Sequence, residues 1–125
     1  MDSENPYESY ITASFYFKKQ QGISHEEFYR HWSTFHANMA ISCKPFTVSF
    51  RRYVQMHATQ ELQMKGSELG MEILDYDACA VFHVRNWDTF VKLMPEWQKE
   101  LGTDAARIMQ MPPKIFVSRD VVLFG

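Results

Sequence analysis

Histidines are the residues of this sequence best suited to acid-base chemistry, and the chain has five of them. A histidine has an unperturbed pKa of about 6.5, so it can both give and take a proton near neutral pH. His36 lies in a segment with helical periodicity, whereas His57 and His83 lie in segments whose apolar residues alternate. We take His36, His57 and His83 as the candidate catalytic residues for proton transfer.

His36 and His31 flank the apolar stripe of the predicted helix. At about 100° per residue, His36 lies about 80° to one side of the stripe and His31 about 60° to the other, so about 140° separates them. Four apolar residues form the centre of the stripe: Phe28, Trp32, Phe35 and Met39. Either histidine could instead be structural, packing its ring at the border and bonding a backbone carbonyl.

Polar side chains recur at every second position in two predicted strands. His57 shares a strand face with Tyr53 and Gln55, and His83 shares one with Asp77. Buried polar groups need partners, which a wet or ligand-filled pocket provides, so these faces predict a lined cavity. A polar seam, or a sheet edge that faces water, is the alternative.

Aromatic side chains and one carboxylate complete the predicted site. Rings can pack against an apolar ligand, and a few polar groups can orient it. We predict that a substrate contacts seven residues: Tyr16, Trp32, Phe35, Tyr53, Asp77, Phe82 and Trp97. The same rings could also be ordinary core residues.

The candidate residues suit decarboxylation, dehydration or aldol-type ring closure, in which a side chain moves a proton and no cofactor takes part. We therefore expect no cofactor. A metal site is not expected either, because the sequence has no HxxxH or HxH pair and His31 and His36 point apart on their helix. No phosphate-binding loop, dinucleotide glycine motif or nucleophile elbow occurs, which argues against nucleotide chemistry and serine hydrolysis.

Two helices are predicted to carry part of the site. A capping box at Ser24 and Glu27 opens the first helix, which runs to about Ser42. Asn86 caps the second helix, and Pro95 should kink or restart it.

Strands and loops account for the rest of the chain. Alternating apolar residues predict four strands, over residues 10–18, 47–58, 76–85 and 114–124. Residues 59–72 contain glycines and no firm period, which predicts a loop or a mobile flap over a pocket. Residues 103–109 add a separate short helical turn.

The resulting order of elements is β, α, β, β, α, β, which predicts an α+β fold of the ferredoxin-like, split βαβ type. Residues 10–125 form one domain, and residues 1–9 form a polar extension before it. Both helices cover one face of such a sheet, and the other face also carries large apolar residues. A second copy of the sheet would cover that face, which predicts a homodimer.

Composition limits the function classes. With 125 residues, 14.8 kDa and a net charge of −2, the chain is one domain without the basic stripe that nucleic acids require. Cys43 and Cys79 have no metal or redox spacing, which suits free thiols in a reducing compartment. No secretory signal or long apolar segment is present, so we expect a cytoplasmic protein without a membrane partner.

Three motifs resemble the EthD-domain family of dimeric α+β barrels. The helix reads FYRHWSTFH from Phe28 to His36, the second strand reads RYVQMH from Arg52, and the third begins with YDA at Tyr76. The family patterns are F-x-x-Y-W-x-x-x-H, an RYVQNH-like run and a YDG-like start. This sequence differs at three positions: His31 for tyrosine, Met56 for asparagine and Ala78 for glycine.

The resemblance implies a dimeric α+β barrel and, for members of this size, enzymes of fungal aromatic polyketide pathways. The leading hypothesis is a cofactor-free lyase that decarboxylates or dehydrates an aromatic polyketide intermediate. His36 would be the proton donor or acceptor, and His57, Tyr53 and His83 would orient the substrate. Two alternatives are a cofactor-independent monooxygenase on the same fold and a non-catalytic barrel that binds an apolar ligand or responds to stress.

Overall fold

The computed structural model describes residues 10–125, and the predicted N-terminal extension, residues 1–9, lies outside the described part. Four strands carry the sheet: β1 (Tyr10–Phe17), β2 (Phe50–His57), β3 (Ala78–Val84) and β4 (Lys114–Asp120). The helices are α1 (His25–His31), a π-helical turn (Trp32–His36), α2 (Ala37–Ser42), α3 (Lys44–Ser49), α4 (Gln60–Ser67) and α5 (Trp87–Ile108). The predicted α+β class is confirmed.

The sheet has the order β2-β3-β1-β4, and every neighbouring pair is antiparallel. The helix that follows β1 therefore leads to a strand two places away, with β3 between them. The helix layer covers one face of the sheet, here called the helix face, and the opposite face is called the open face. The core lies under the helix layer, where Phe28, Trp32 and Phe90 are almost completely buried.

The first helical segment begins as predicted, with both hydrogen bonds of the Ser24–Glu27 capping box present. The π-helical turn follows, and it changes which side chains face the core. An i→i+5 turn holds more residues than an α-helical turn, so the side chains that follow it lie at different angles around the helix axis than α-helical spacing predicts. Phe35 is 55% exposed and His36 only 8% exposed, so placing Phe35 at the centre of the buried stripe was wrong.

Strand β2 starts later than predicted because residues 47–49 belong to α3. Pro45 stands in the first turn of α3, a position where proline favours a helix, and the buried Phe46 anchors that helix against Phe50. A bulge between Phe50 and Arg52 then shifts the strand register. Phe50 consequently lies on the helix face, and the predicted strict alternation from Val48 to Met56 is wrong.

Residues 59–72 were predicted to form a loop, but most of them form helix α4. The hydroxyl of Thr59 caps the helix by accepting from the backbone of Leu62, and Gln63 donates to the carbonyl of Ala58. No residue of α4 is buried, so it has no apolar period that a sequence pattern could reveal.

The last helix is one continuous helix of 22 residues, so the predicted restart at Pro95 and the separate turn at residues 103–109 are wrong. Asn86 caps it as predicted, accepting from the backbone N–H of Thr89 at 2.9 Å. Pro95 removes one hydrogen bond, whose acceptor would be the carbonyl of Val91. Both residues are exposed, so water can satisfy that carbonyl without a break in the helix.

No helix within residues 10–125 is long and apolar enough to cross a membrane.

Candidate functional site

A cavity of about 120 Å³ lies between the helix face of the sheet and the helices. Rings dominate its wall: Phe15, Phe17, Trp32, Phe46, Tyr53, Phe82 and Trp97. His36 supplies an imidazole, and Met111, which is 50% exposed, marks the side on which the cavity reaches the surface. A cavity of this size accommodates about one aromatic ring, since one of about 150 Å³ binds benzene.

His36 enters the cavity from the end of the π-helical turn and is held there by a buried carboxylate. Its Nδ1 lies 2.8 Å from Oδ2 of Asp104, which comes from α5 and is 3% exposed. Trp32 begins the same turn and also lines the cavity. The short π-helical segment therefore presents both side chains to one space, as such segments often do at functional sites.

His31 contacts the same carboxylate, with its Nε2 at 2.9 Å from Oδ1 of Asp104 and 3.0 Å from Oδ2. His31 and His36 are five residues apart, and the i→i+5 geometry of the π turn aligns such positions. The expected separation of about 140°, which rests on α-helical geometry, is therefore wrong. The two rings converge on one acid.

Asp104 is ionised in this arrangement. Burial by itself would raise the pKa of its carboxyl, but hydrogen bonds from His31 and His36 outweigh burial and hold the pKa below the ordinary value. An ionised carboxylate can only accept hydrogen bonds, so Nδ1 of His36 must carry a proton. Neutral His36 then has its lone pair on Nε2, the nitrogen that a general base uses.

Tyr53, Gln55 and His57 form a hydrogen-bonded chain on the helix face of β2. The amide of Gln55 donates to the Tyr53 hydroxyl at 2.9 Å and to the carbonyl of Trp32 at 2.8 Å. Burial raises the pKa of Tyr53 although the bond from Gln55 lowers it, so the phenol keeps its proton at neutral pH. Since its oxygen accepts from Gln55, the Tyr53 hydroxyl can donate its proton to a ligand.

His57 is part of this chain rather than of the cavity wall. Its Nε2 lies 3.0 Å from Oε1 of Gln55, and its ring stacks on Tyr29 and Trp32 with centroids 4.8 and 4.9 Å away. Burial lowers the pKa of His57, which favours the neutral ring. The structure thus places His57 behind Tyr53 and Trp32, where it packs against residues that line the cavity.

His83 lies on the open face, on the other side of the sheet from His36. Its Nδ1 lies 3.3 Å from Asp120, whose other oxygen accepts from the hydroxyl of Thr12 at 2.6 Å. Successive side chains in β3 point to opposite faces of the sheet, and Phe82 lines the cavity, so the adjacent His83 points away from it. The expectation that His36, His57 and His83 serve one cavity is therefore wrong for His83.

Three predicted substrate contacts lie away from the cavity. Tyr16 is on the open face beside Tyr76, and Phe35 points outward from the helix layer. Asp77 is bonded to the backbone of Lys19 at 2.9 Å and to His25 at 3.1 Å, where it ties β3 to the first helix. The other four, Trp32, Tyr53, Phe82 and Trp97, line the cavity together.

Trp97 also carries a buried indole N–H that has no hydrogen-bond partner within residues 10–125. Its ring packs against Phe82 and Phe15 at centroid distances of 5.0 and 6.2 Å. An unpaired buried donor is uncommon and costs about 1–3 kcal/mol, which makes this N–H a candidate donor to a bound molecule.

Asp104 is the residue of the site that sequence reasoning missed. Leu101, Ala105 and Ile108 recur at helical spacing and are buried or partly buried, and Asp104 lies inside that stripe. An acid within an apolar stripe is a recognisable signal, but the prediction of a separate turn at residues 103–109 divided this stripe between Leu101 and Asp104. Within residues 10–125 no group of three His, Cys, Asp or Glu side chains is placed to hold a metal ion.

The sequence profile of the EthD domain matches residues 20–112 of the chain. This range contains α1 to α5, β2 and β3, and therefore His36, His31 and Asp104. No significant match to a curated protein exists.

Proposed function

The chain belongs to the EthD family, and on that premise we propose that it is a cofactor-free lyase that decarboxylates or dehydrates an aromatic polyketide-type molecule. The observation that carries the proposal is that His36, whose ring bonds the buried Asp104, lines a cavity walled by aromatic rings. A carboxylate on Nδ1 fixes the tautomer of a histidine and stabilises its protonated form, as in other enzymes that use histidine as base and acid.

In a decarboxylation, the bond between the ring system and the carboxylate breaks, and its electron pair remains on carbon as carbon dioxide leaves. Protonated His36 would then deliver the proton from Nε2 to that carbon, while Asp104 stabilises the imidazolium before transfer. The Tyr53 hydroxyl would donate a hydrogen bond to a carbonyl or phenolate oxygen of the substrate, where negative charge collects.

In a dehydration, neutral His36 would remove a proton from carbon through Nε2. The electron pair of that C–H bond forms the new double bond, and hydroxide leaves from the neighbouring carbon. The leaving oxygen takes a proton from the His36 imidazolium, so the products are water and the original neutral histidine. Both reactions use the same two side chains and no redox change.

The cavity supports an aromatic ligand on physical grounds. Burying apolar surface contributes roughly 25 cal/mol per Å², and edge-to-face ring pairs add about 0.5–1.5 kcal/mol each. Phe82 and Trp97 would supply such contacts, and the indole N–H of Trp97 could gain an acceptor. Because the cavity holds about one ring, a larger substrate would extend past Met111.

Incubation with anthrone-type and simpler aromatic carboxylic acids, followed by mass spectrometry with and without oxygen, tests the proposal. We expect loss of carbon dioxide or water to exceed the background rate equally under both atmospheres. An oxygen-dependent product would indicate the monooxygenase instead, and tight binding in a thermal-shift assay without any product would indicate the binding protein.

Variants of two histidines make the test specific to the site. His36→Gln should lower kcat by about 10²-fold to 10⁴-fold because it removes the proton-transfer group. His83→Gln is the matched control, since His83 also bonds an aspartate but lies on the open face. Equal loss of activity in both variants, or full activity in His36→Gln, would remove His36 from the mechanism.

We further propose that the open face of the sheet is covered by a second copy of the chain. A row across the four strands on this face consists of Val54, Val81, Ser14 and Phe116, as the strand registers require. Phe116 is 60% exposed and Met56, in the next row, is 51% exposed. Apolar side chains in the middle of a sheet face favour burial, and twofold pairing of two such faces provides it.

For location we propose the cytoplasm. Cys43 and Cys79 are both buried free thiols, which is the usual state in a reducing compartment.

A further inference from the structure

Met111 separates two spaces that one ligand can occupy. It lines the aromatic cavity that contains His36, and it also lines a second, more open cleft of about 390 Å³, here called the outer cleft. The unbranched side chain of a methionine adapts easily to a neighbouring molecule. A ligand that outgrows the cavity on this side therefore meets the outer cleft next.

The outer cleft lies at the end of the sheet, where β1 ends and β4 begins. Lys114 is the first residue of β4 and pairs directly with Tyr16, so the two side chains lie on the same face as neighbours. The ring of Tyr16 lies 5.5 Å from the ring of Tyr76, which lines the cleft as well. The outer cleft therefore offers an aromatic surface beside a cation.

The charges of the outer cleft leave this cation without a counter-charge. Lys18 and Asp75 both line the cleft and neutralise each other, with Nζ 2.8 Å from Oδ2. Lys114 lines the same cleft, and within residues 10–125 its ammonium group has no ion pair. Gln110 adds a polar side chain but no charge, and its amide donates to the carbonyl of Lys19 at 2.9 Å. The outer cleft therefore has a net positive charge.

We propose that the outer cleft is the second part of the substrate site and that Lys114 is its specificity-determining residue. The substrate class would be fused-ring molecules with an acidic oxygen, a carboxylate or an ionised phenol, at the end farthest from His36. One ring would fill the cavity, the next would pass Met111, and the acidic oxygen would meet Lys114. The identity of the reacting ring rests on the proposed function, but the binding itself does not.

The charge distribution favours this orientation of the ligand over the reverse one. An acidic group placed at His36 would lie close to Asp104, whose oxygen is 2.8 Å from the His36 ring, and like charges in one site repel each other. The carboxylate nearest the other end of the ligand, Asp75, is already paired with Lys18. An anion in the outer cleft therefore meets an attractive charge without a competing repulsion.

Equilibrium binding of two naphthalene ligands to the full-length protein tests the assignment. Naphthalene-2-carboxylate and naphthalene-2-carboxamide differ in charge and hardly in shape, and the wild type should prefer the carboxylate. At low salt, Lys114→Gln should weaken binding of the carboxylate by about twofold to fivefold, as expected for a solvent-exposed ion pair, and leave the carboxamide unchanged. Lys114→Glu should weaken it further, and high salt should reduce both effects.

Two controls make this test specific to the outer cleft. Lys92→Gln should leave both affinities unchanged, because Lys92 is an exposed lysine that lines neither the cavity nor the cleft. Benzoate and benzamide have a single ring, which the cavity holds by itself, so Lys114→Gln should not affect them. An equal response of this one-ring pair would place the ring in the outer cleft and contradict a two-part site.

Three further outcomes would overturn the proposal. The first is equal affinity of the wild type for the carboxylate and the carboxamide. The second is a preference for the carboxylate that survives in Lys114→Gln and disappears in His36→Gln, which would place the acid in the cavity. The third is an equal loss of carboxylate binding in Lys92→Gln.

None of these measurements needs turnover, so the two proposals can fail separately. If a fused-ring acid is converted, Lys114→Gln should raise KM and leave kcat nearly unchanged, because Lys114 binds the substrate away from the reacting atoms. Binding that depends on Lys114 in a protein without turnover would support the two-part site and contradict only the lyase reaction. Turnover with a KM that does not respond to Lys114→Gln would do the reverse.

Discussion

Asp104 organises the site at the scale of single residues. It is almost completely buried, and both of its oxygens accept hydrogen bonds from histidines. A buried charge is tolerated only when it is paired and hydrogen-bonded, which is what the two imidazoles provide. The acid in turn decides which nitrogen of His36 carries a proton.

Replacing Asp104 tests this role through stability. Asp104→Asn should lower the free energy of unfolding at pH 7 by about 1–3 kcal/mol, because a charged bond is replaced by a poorly matched amide. The pKa of Asp104 in the folded protein lies below the ordinary 3.8. The wild-type protein therefore has its full stability advantage over the Asn variant at pH values above 3.8. It is lost as the pH falls through the lower folded pKa.

Urea unfolding of both proteins between neutral and acidic pH measures the effect. Asp75→Asn is the control, because the Asp75 side chain is 85% exposed and pairs with Lys18 at the surface. A wild-type advantage that stays constant down to the lowest pH would contradict the ionised state of Asp104.

At the scale of elements, α5 carries Trp97 to the cavity and Asp104 to the ring of His36. Its continuity past Pro95 fixes the distance between these two side chains and their position above the sheet. The first helical segment contributes Trp32 and His36 through its π-helical turn. The cavity therefore lies where two helices and the sheet meet.

Pro95→Ala should stabilise the protein, since α5 regains the N–H that bonds the carbonyl of Val91. A proline inside a helix destabilises the folded protein by about 3 kcal/mol or more. Proline also restricts the unfolded chain, which offsets about 0.4–1 kcal/mol of that cost. We expect a gain of about 2–2.6 kcal/mol in the free energy of unfolding. Glu96→Ala, at an exposed neighbour, should change it by less than about 0.5 kcal/mol. A loss of stability in Pro95→Ala would mean that the proline is needed for packing.

Within residues 10–125, the cavity wall includes no residue of α4, so α4 is not a flap over His36. Met111 and Pro113, just before β4, do line it. Hydrogen exchange should show that an aromatic acid selected by thermal shift protects amides of residues 98–113 and leaves those of α4 unchanged. Protection confined to residues 59–72 would place the ligand in a different pocket.

At the scale of the whole molecule, the two faces of the sheet differ in what covers them. The helix layer buries one face, whereas the open face presents Phe116 and Met56 beside the Thr12–His83–Asp120 cluster. A second copy would bury the apolar residues and exclude water from the cluster. Assembly and catalysis would then use opposite sides of one sheet.

Light scattering of single variants tests the assembly. The wild type should be a dimer, about twice 14.8 kDa, and Phe116→Glu should shift it toward the monomer, since a charge buried without a partner is costly. Phe35→Glu makes the same change at a residue that is 55% exposed on the outer side of the helix layer, and it should remain dimeric. A monomeric wild type at micromolar concentration would contradict the pairing.

The sequence by itself determined the α+β class, the four strands, both helix caps and the family. These features depend on local signals: alternation in strands, the Ser24–Glu27 box, the Asn86 cap and motifs of adjacent residues. Alternation also grouped His57 correctly with Tyr53 and Gln55 on one face of β2, because successive side chains in a strand point to opposite faces. It did not show that the face of β3 that carries His83 lies opposite the helices.

Only the tertiary structure decided which side chains meet. The π-helical turn moved Phe35 outward and brought His31 and His36 to one acid, and no short-range pattern distinguishes such a turn from an α-helix. Asp104 lies 68 residues from His36 in the chain, and α5 had to be continuous to bring it there. Packing of the helices on the sheet, rather than local propensity, therefore separated His83 from His36 and built the candidate site.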